Sequence, residues 1–192
     1  MAEDLRTTKY RDSSWITLVA PPPADTTWGM VTTGAYSNNY DALGHIIGRF
    51  YNFYAVNDVR NIAPAGWHVA SDAEWKLMEQ TLGMSGGEVN ATGWRGSNQA
   101  EKMKVMKGTI LGWTDYGDIW NTNESGFGAL GMGCRMYDGS FGNPGQYSTN
   151  FWWTSSTNEN QGWYRYMDYK NKNVFRYYGL KNYGFSVRCV KD

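Results

Sequence analysis

Hydrophobic and polar positions follow a helical period in one stretch of the chain and a two-residue period in several others. Residues 72–82 carry the clearest helical pattern, with Trp75, Met78 and Leu82 on one stripe at i, i+3 and i+7. Ser71 stands at the N-cap position and Glu74 follows three residues later, which makes a Ser-x-x-Glu capping box. Asp72 adds negative charge at the positive end of the helix dipole, and Gly83 supplies the stop. A second helix is predicted over residues 98–106, with Ser97 as cap and Ala100, Met103 and Met106 facing inward. Residues 49–56 read as a strand, and Pro64-Ala65-Gly66 turns into a short extended stretch ending at Val69.

From residue 126 the period shortens to two. Strands are predicted over residues 126–137, 150–156, 163–169, 173–178 and 185–190, separated by Asn, Gly and Lys. Lys170-Asn171-Lys172 reads as the turn of a hairpin spanning residues 163–178. Alternation sorts that hairpin into two faces. One carries Trp163, Arg165, Met167, Val174 and Arg176, with Trp163, Met167 and Val174 read as core. The two arginines on that face need partners if buried. The other face carries Tyr164, Tyr166, Asp168, Asn173, Phe175 and Tyr177, and is expected to point away from the core. On that reading a Tyr164/Tyr166/Phe175/Tyr177→Ser quadruple variant still folds, because exposed positions cost only about ±0.5 kcal/mol each.

Composition explains why the aromatic residues matter. Leu, Ile and Val together number 24 among 192 residues, no more than Trp plus Tyr, so the core must lean on aromatic rings. Seven of the 14 Tyr and six of the 16 Asn fall within residues 147–183, a mixture suited to binding surfaces. Eighteen basic and 18 acidic side chains leave no net charge, which argues against a nucleic-acid partner. No apolar run is long enough to span a bilayer, and Met1 leads into Ala-Glu-Asp-Leu-Arg rather than a signal peptide. The length favours one domain over residues 1–192.

Catalytic and metal chemistry finds little support in the residue pattern, so the chain is not expected to be an enzyme. His45 and His68 are the two histidines, and His68 reads as a hydrogen-bonded structural residue. Asp72, Glu74 and Glu124 are the carboxylates a glycoside hydrolase would have to bring together, but Asp72 and Glu74 already serve a helix start. Asp115, Asp118, Asn121, Asn123 and Glu124 do not match an EF-hand loop. No cofactor is expected, with a structural Ca²⁺ at this cluster as the alternative. Cys134 and Cys189 fit no zinc or redox spacing. They read as small buried apolar residues, with one disulfide as the alternative for an exported chain.

Several ordered phrases then carry a resemblance. They include Met1-Ala-Glu-Asp-Leu-Arg-Thr-Thr-Lys-Tyr10, Tyr51-Asn-Phe-Tyr-Ala-Val-Asn57, Gly66-Trp-His-Val69 and Ser71-Asp-Ala-Glu-Trp75. Thr122-Asn-Glu-Ser-Gly-Phe127, Phe151-Trp-Trp-Thr-Ser-Ser156 and Gly184-Phe-Ser-Val-Arg-Cys-Val190 complete the series. Over nearly its whole length the chain resembles the Fibrobacter succinogenes major paralogous domain family of bacterial surface proteins. The resemblance implies an α+β, C-type lectin-like fold of the formylglycine-generating-enzyme type. In that fold two helices pack on a small, twisted antiparallel sheet with long loops. It also implies an extracellular, cell-surface or virion location.

Residues 163–190 further resemble the variable region of target proteins of diversity-generating retroelements, in which adenine changes scatter substitutions at Asn codons. The positions this implies as variable, and hence ligand-binding, are Tyr164, Tyr166, Asp168, Asn173, Phe175, Tyr177, Tyr178, Gly179, Leu180, Asn182 and Tyr183. Trp163, Arg165, Val174, Arg176 and Gly184–Val190 would be fixed. The implied function is display of a Tyr- and Asn-rich face to a protein or cell-surface glycan, the alternative being an invariant adhesive module. The motifs of calcium-dependent sugar-binding lectins are missing, Asn143-Pro144-Gly145 being only a fragment of one. The cysteines also do not resemble the reactive pair of formylglycine-generating enzymes.

Overall fold

The computed structural model describes residues 3–21, 25–41, 43–106, 113–114, 121–142 and 148–192. Asp115, Asp118, the Asn143-Pro144-Gly145 fragment and Tyr147 lie outside them. In chain order the elements are β1 (Thr17–Leu18), β2 (Ala35–Tyr40), β3 (Ile46–Tyr51), α1 (Phe53–Val56), β4 (Trp67–Val69), α2 (Asp72–Thr81), β5 (Gly93–Arg95) and α3 (Gln99–Met103). Then follow β6 (Cys134–Arg135), β7 (Phe141–Gly142), β8 (Thr149–Asn158), β9 (Gln161–Asp168), β10 (Val174–Gly179), β11 (Ser186–Val187) and β12 (Cys189–Lys191). The fold is thus mixed α+β, dominated by strands, with three short α-helices among the described residues.

The central sheet runs β11-β8-β9-β10-β5. It is mixed rather than antiparallel throughout, because β11 lies parallel to β8 while β8, β9, β10 and β5 are antiparallel. A separate three-stranded sheet, β1-β2-β3, also contains a parallel pair. The expected hairpin forms, with Phe175 opposite Tyr166 and Tyr177 opposite Tyr164.

Helix α2 starts as the sequence predicts: Ser71 Oγ accepts from Glu74 N, and Glu74 Oε2 accepts from Ser71 N. Three other expectations are corrected. The strand read over residues 49–56 ends at Tyr51, because the Asn52 side chain caps α1 by accepting from Ala55 N at 3.0 Å. The same Asn52 oxygen accepts from Ala35 N at 2.9 Å, so one residue stops the strand and ties it to β2.

The second helix is shorter than residues 98–106. Ser97 does not cap it, its N-cap is Asn98, and Met106 is 58% exposed instead of inward. The chain turns extended at Lys104, whose buried ammonium donates to the Asp168 carbonyl and, at 2.7 Å, to the Asn171 carbonyl. The strand expected over residues 126–137 shrinks to β6. Gly126, Gly128 and Gly133 adopt left-handed φ values of 68°, 65° and 77°, which break the pleat.

Each face of the central sheet packs on its own cluster. Trp153 and Phe185 join Phe53, Tyr51 and Val69 on one side. Trp152, Met167 and Val174 join Trp75 of α2 and Met103 of α3 on the other.

Candidate functional site

The helix-covered face of the hairpin resolves the question of the two arginines. Arg165 is wholly buried and donates to Asp72 Oδ1 at 2.8 Å and to Glu79 Oε1 at 2.7 Å. Arg176 donates from Nε and Nη2 to the two Asp72 oxygens, both at 2.8 Å. Arg95 of β5 pairs with both oxygens of the fully buried Glu79, at 2.7 and 2.9 Å. Helix α2 therefore presents Asp72 and Glu79, two turns apart, to three guanidinium groups on three strands. Burial opposes ionisation of Asp72, but the bonds from Arg176 and Arg165 outweigh it and hold the carboxyl far below the usual carboxylate range. Trp163, read as core, is half-buried and lies 3.7 Å beneath the Arg176 guanidinium.

The opposite face carries the rings. It is half-buried rather than open, which corrects the expectation that it points away from the core. Tyr164 meets Phe185 edge-on at 5.2 Å and packs on the core cluster of Phe53 and Trp153. Tyr166 stacks on Phe151 at 4.3 Å. Phe175 is half-buried, Tyr177 is 40% exposed, and Tyr177 stacks on Tyr178 at 4.5 Å. Losing Tyr164 thus removes core contacts, so the quadruple Ser variant is no longer expected to be neutral.

The polar members of the predicted set are occupied internally. Asp168 is buried, and its Oδ1 accepts from Lys170 N at 2.9 Å and Asn171 N at 2.8 Å, closing the hairpin turn. Asn173 donates to the Gly96 carbonyl, and Asn182 donates to those of Gly29 and Tyr137. Gly179 is also buried.

Six of the eleven predicted residues converge, and Tyr166 and Phe175 are not among them. Tyr164, Tyr177, Tyr178, Gly179, Leu180 and Tyr183 line one cavity of about 330 Å³. Its other lining residues, which the sequence reading did not single out for the site, include Cys134, Met136, Phe151 and Phe185. Trp94 was also missed: it is 39% exposed and adds its ring to the same face, 5.3 Å from both Tyr166 and Phe175. Alternation along β8 could have placed Phe151 once its register with Tyr166 was known. No local signal pairs β5 with β10.

A larger cavity, about 820 Å³, lies across the sheet between α2 and residues 124–127. Its polar rim is engaged: Glu74 bonds Ser71 and His68, and Glu124 pairs with Lys102 at 3.2 Å. His68 has both ring nitrogens bonded, to Asp192 and Glu74, each at 2.6 Å. Those bonds raise its pKa, Asp192 contributing most. Cys134 and Cys189 are buried, and burial pushes their thiols up to about 12 and about 11. No described helix is long and apolar enough to cross a membrane. Among the described residues no group of three or more His, Cys, Asp or Glu is arranged to hold a metal ion.

Comparison with curated proteins and with solved structures finds no match. The model of the Fibrobacter succinogenes major domain family, in contrast, matches residues 1–191. With a match over nearly its whole length, the chain belongs to the Fibrobacter succinogenes major domain family.

Proposed function

We propose that this protein is a binding module that presents its aromatic face to a macromolecular ligand, a protein or a cell-surface glycan, outside the cell or on a virion. The scaffold is read as C-type lectin-like, and the face as the diversified region of a retroelement target protein. One observation carries the reading: six of the positions implied as variable ring a single cavity, while Arg165, Val174 and Arg176, implied as fixed, lie buried on the opposite face. A site built this way can change its lining without touching the ion pairs that hold α2 to the sheet.

The reading assigns no catalysis. Of the three carboxylates weighed for hydrolysis, Asp72 and Glu74 are bound to Arg165, Arg176, Ser71 and His68, and Glu124 pairs with Lys102. Thiols raised by burial are poor nucleophiles. An invariant adhesive module is the second reading, and the internal bonds of Asp168, Asn173 and Asn182 favour it, since substitution there disturbs the fold.

Sequencing the DNA beside the gene separates the two. Diversification requires a near-copy of the codons for residues 163–190, with adenines at the eleven positions named above, next to a reverse transcriptase gene. Finding neither would sink the diversified reading in favour of the invariant module.

A further inference from the structure

We infer that Gly179 holds open an apolar socket on the aromatic face, and that the socket receives one uncharged aromatic or branched apolar side chain from a protein partner. The inference rests on the binding-face reading and names the chemistry of its ligand.

The cavity is charge-free. No Asp, Glu, Lys, Arg or His lines it among the described residues. Its deepest members, Cys134 and Phe185, are 3% and 2% exposed. Burial raises the Cys134 thiol and the Tyr164 phenol to about 12, so both are neutral at physiological pH. An ionic occupant would lose its hydration and gain no counter-charge.

A glycan is disfavoured by a different fact. Sugar hydroxyls need well-placed carboxylates and amides. On this face Asp168 is committed to the hairpin turn and the Asn173 and Asn182 amides donate to backbone carbonyls, which leaves Gln161 as the one amide or carboxylate side chain on the cavity wall among the described residues. The exposed groups at the mouth are the Tyr177 ring and Leu180, 40% and 48% exposed. Tyr-rich, charge-poor surfaces around an apolar pocket are the anchor points of protein interfaces. A volume near 330 Å³ sits at the bottom of the ~300–1,000 Å³ range of ligand pockets and suits one side chain.

Gly179 sets that volume. A Cβ built there would lie 3.4 Å from Tyr164 Cε1 and 3.4 Å from Tyr183 Cδ2, in van der Waals contact with both rings. Its φ lies outside the left-handed region, so other residues fit the backbone without strain. A methyl group would touch both rings, and a branched side chain would occupy the space between them.

The test is an NMR titration of the ¹⁵N-labelled full chain with N-acetyl-tryptophanamide, N-acetyl-leucinamide, N-acetyl-lysinamide and N-acetylglucosamine. The tryptophan and leucine amides should shift the amide signals of residues 164, 177–180 and 183 saturably, with the lysine amide and the sugar at least tenfold weaker. Gly179→Val should weaken the tryptophan amide at least tenfold with its spectrum still dispersed. Gly179→Ala, the milder change, should give an intermediate loss and serves if the Val variant does not fold. Val59→Ala, fully exposed and not part of the cavity wall, should leave affinity within twofold. Unchanged binding by the residue-179 variants, preferred sugar binding, or no binding by any probe would overturn the socket. None of these results bears on the retroelement template, so the face reading stands or falls separately.

Discussion

The two faces of the β9–β10 hairpin alternate residue by residue along the same strands yet are built in opposite ways. Beneath, Arg165 and Arg176 are locked to Asp72 and Glu79 by charge-assisted bonds of 2.7–2.8 Å. Above, Trp94 and Phe175 pack on Tyr166, Tyr166 stacks on Phe151, Tyr177 stacks on Tyr178, and Tyr164 packs on the core cluster. The lower face needs particular residues, because a buried charge that loses its partner is severely penalised. The aromatic positions of the upper face need only bulk, while Asp168 and Asn173 at its turn end are held by specific bonds. This separation lets one hairpin hold a fold and still offer replaceable contacts.

The contrast yields graded expectations. Glu79→Gln removes the carboxylate that faces Arg95 and leaves Arg165 with Asp72 alone, and should cost about 3–5 kcal/mol in urea unfolding. A loss below about 1 kcal/mol would show that the lower face is not held by charge. Tyr164→Ser removes a half-buried ring and should cost roughly 2 kcal/mol, about half the figure for a fully buried one. Tyr177→Ser, more exposed, should stay within about 0.5 kcal/mol. Equal costs at these two positions would erase the gradient across the upper face.

Acidification probes the lower face alone. The Asp72 carboxyl is depressed in the folded chain, so its contribution is present above the unfolded value of about 3.9 and is lost as pH falls below it. Asp72→Asn should flatten that part of the acid limb in thermal melts, whereas Tyr177→Ser should leave it intact. The smallest effect belongs to His68, whose raised pKa gives a contribution complete below about 6.5 and lost as pH rises through the folded value. His68→Gln should remove that slight alkaline decline.

Local chemistry is legible in the sequence, and distant pairing is not. The Ser71–Glu74 capping box and the two hairpin faces follow from neighbours within a few residues. The need of Arg165 and Arg176 for partners is also legible, but not their identity: Asp72 lies 93 and 104 positions away. Asp72 reads as a helix-dipole residue because that role is local, while its ion pairs depend on how α2 docks. Trp94 enters the site through the pairing of β5 with β10, which no turn or repeat announces. Asp168 and Asn173 look like adaptable surface residues by composition. Their bonds to the turn and to Gly96 appear only once the chain has folded.

The most direct measurement is the distribution of substitutions between the two faces in alleles of this gene from neighbouring strains. The account predicts changes concentrated at Phe175, Tyr177, Tyr178, Leu180 and the other implied variable positions, with Arg165, Val174 and Arg176 unchanged. Substitutions spread evenly over both faces, or absent from the aromatic one, would contradict it.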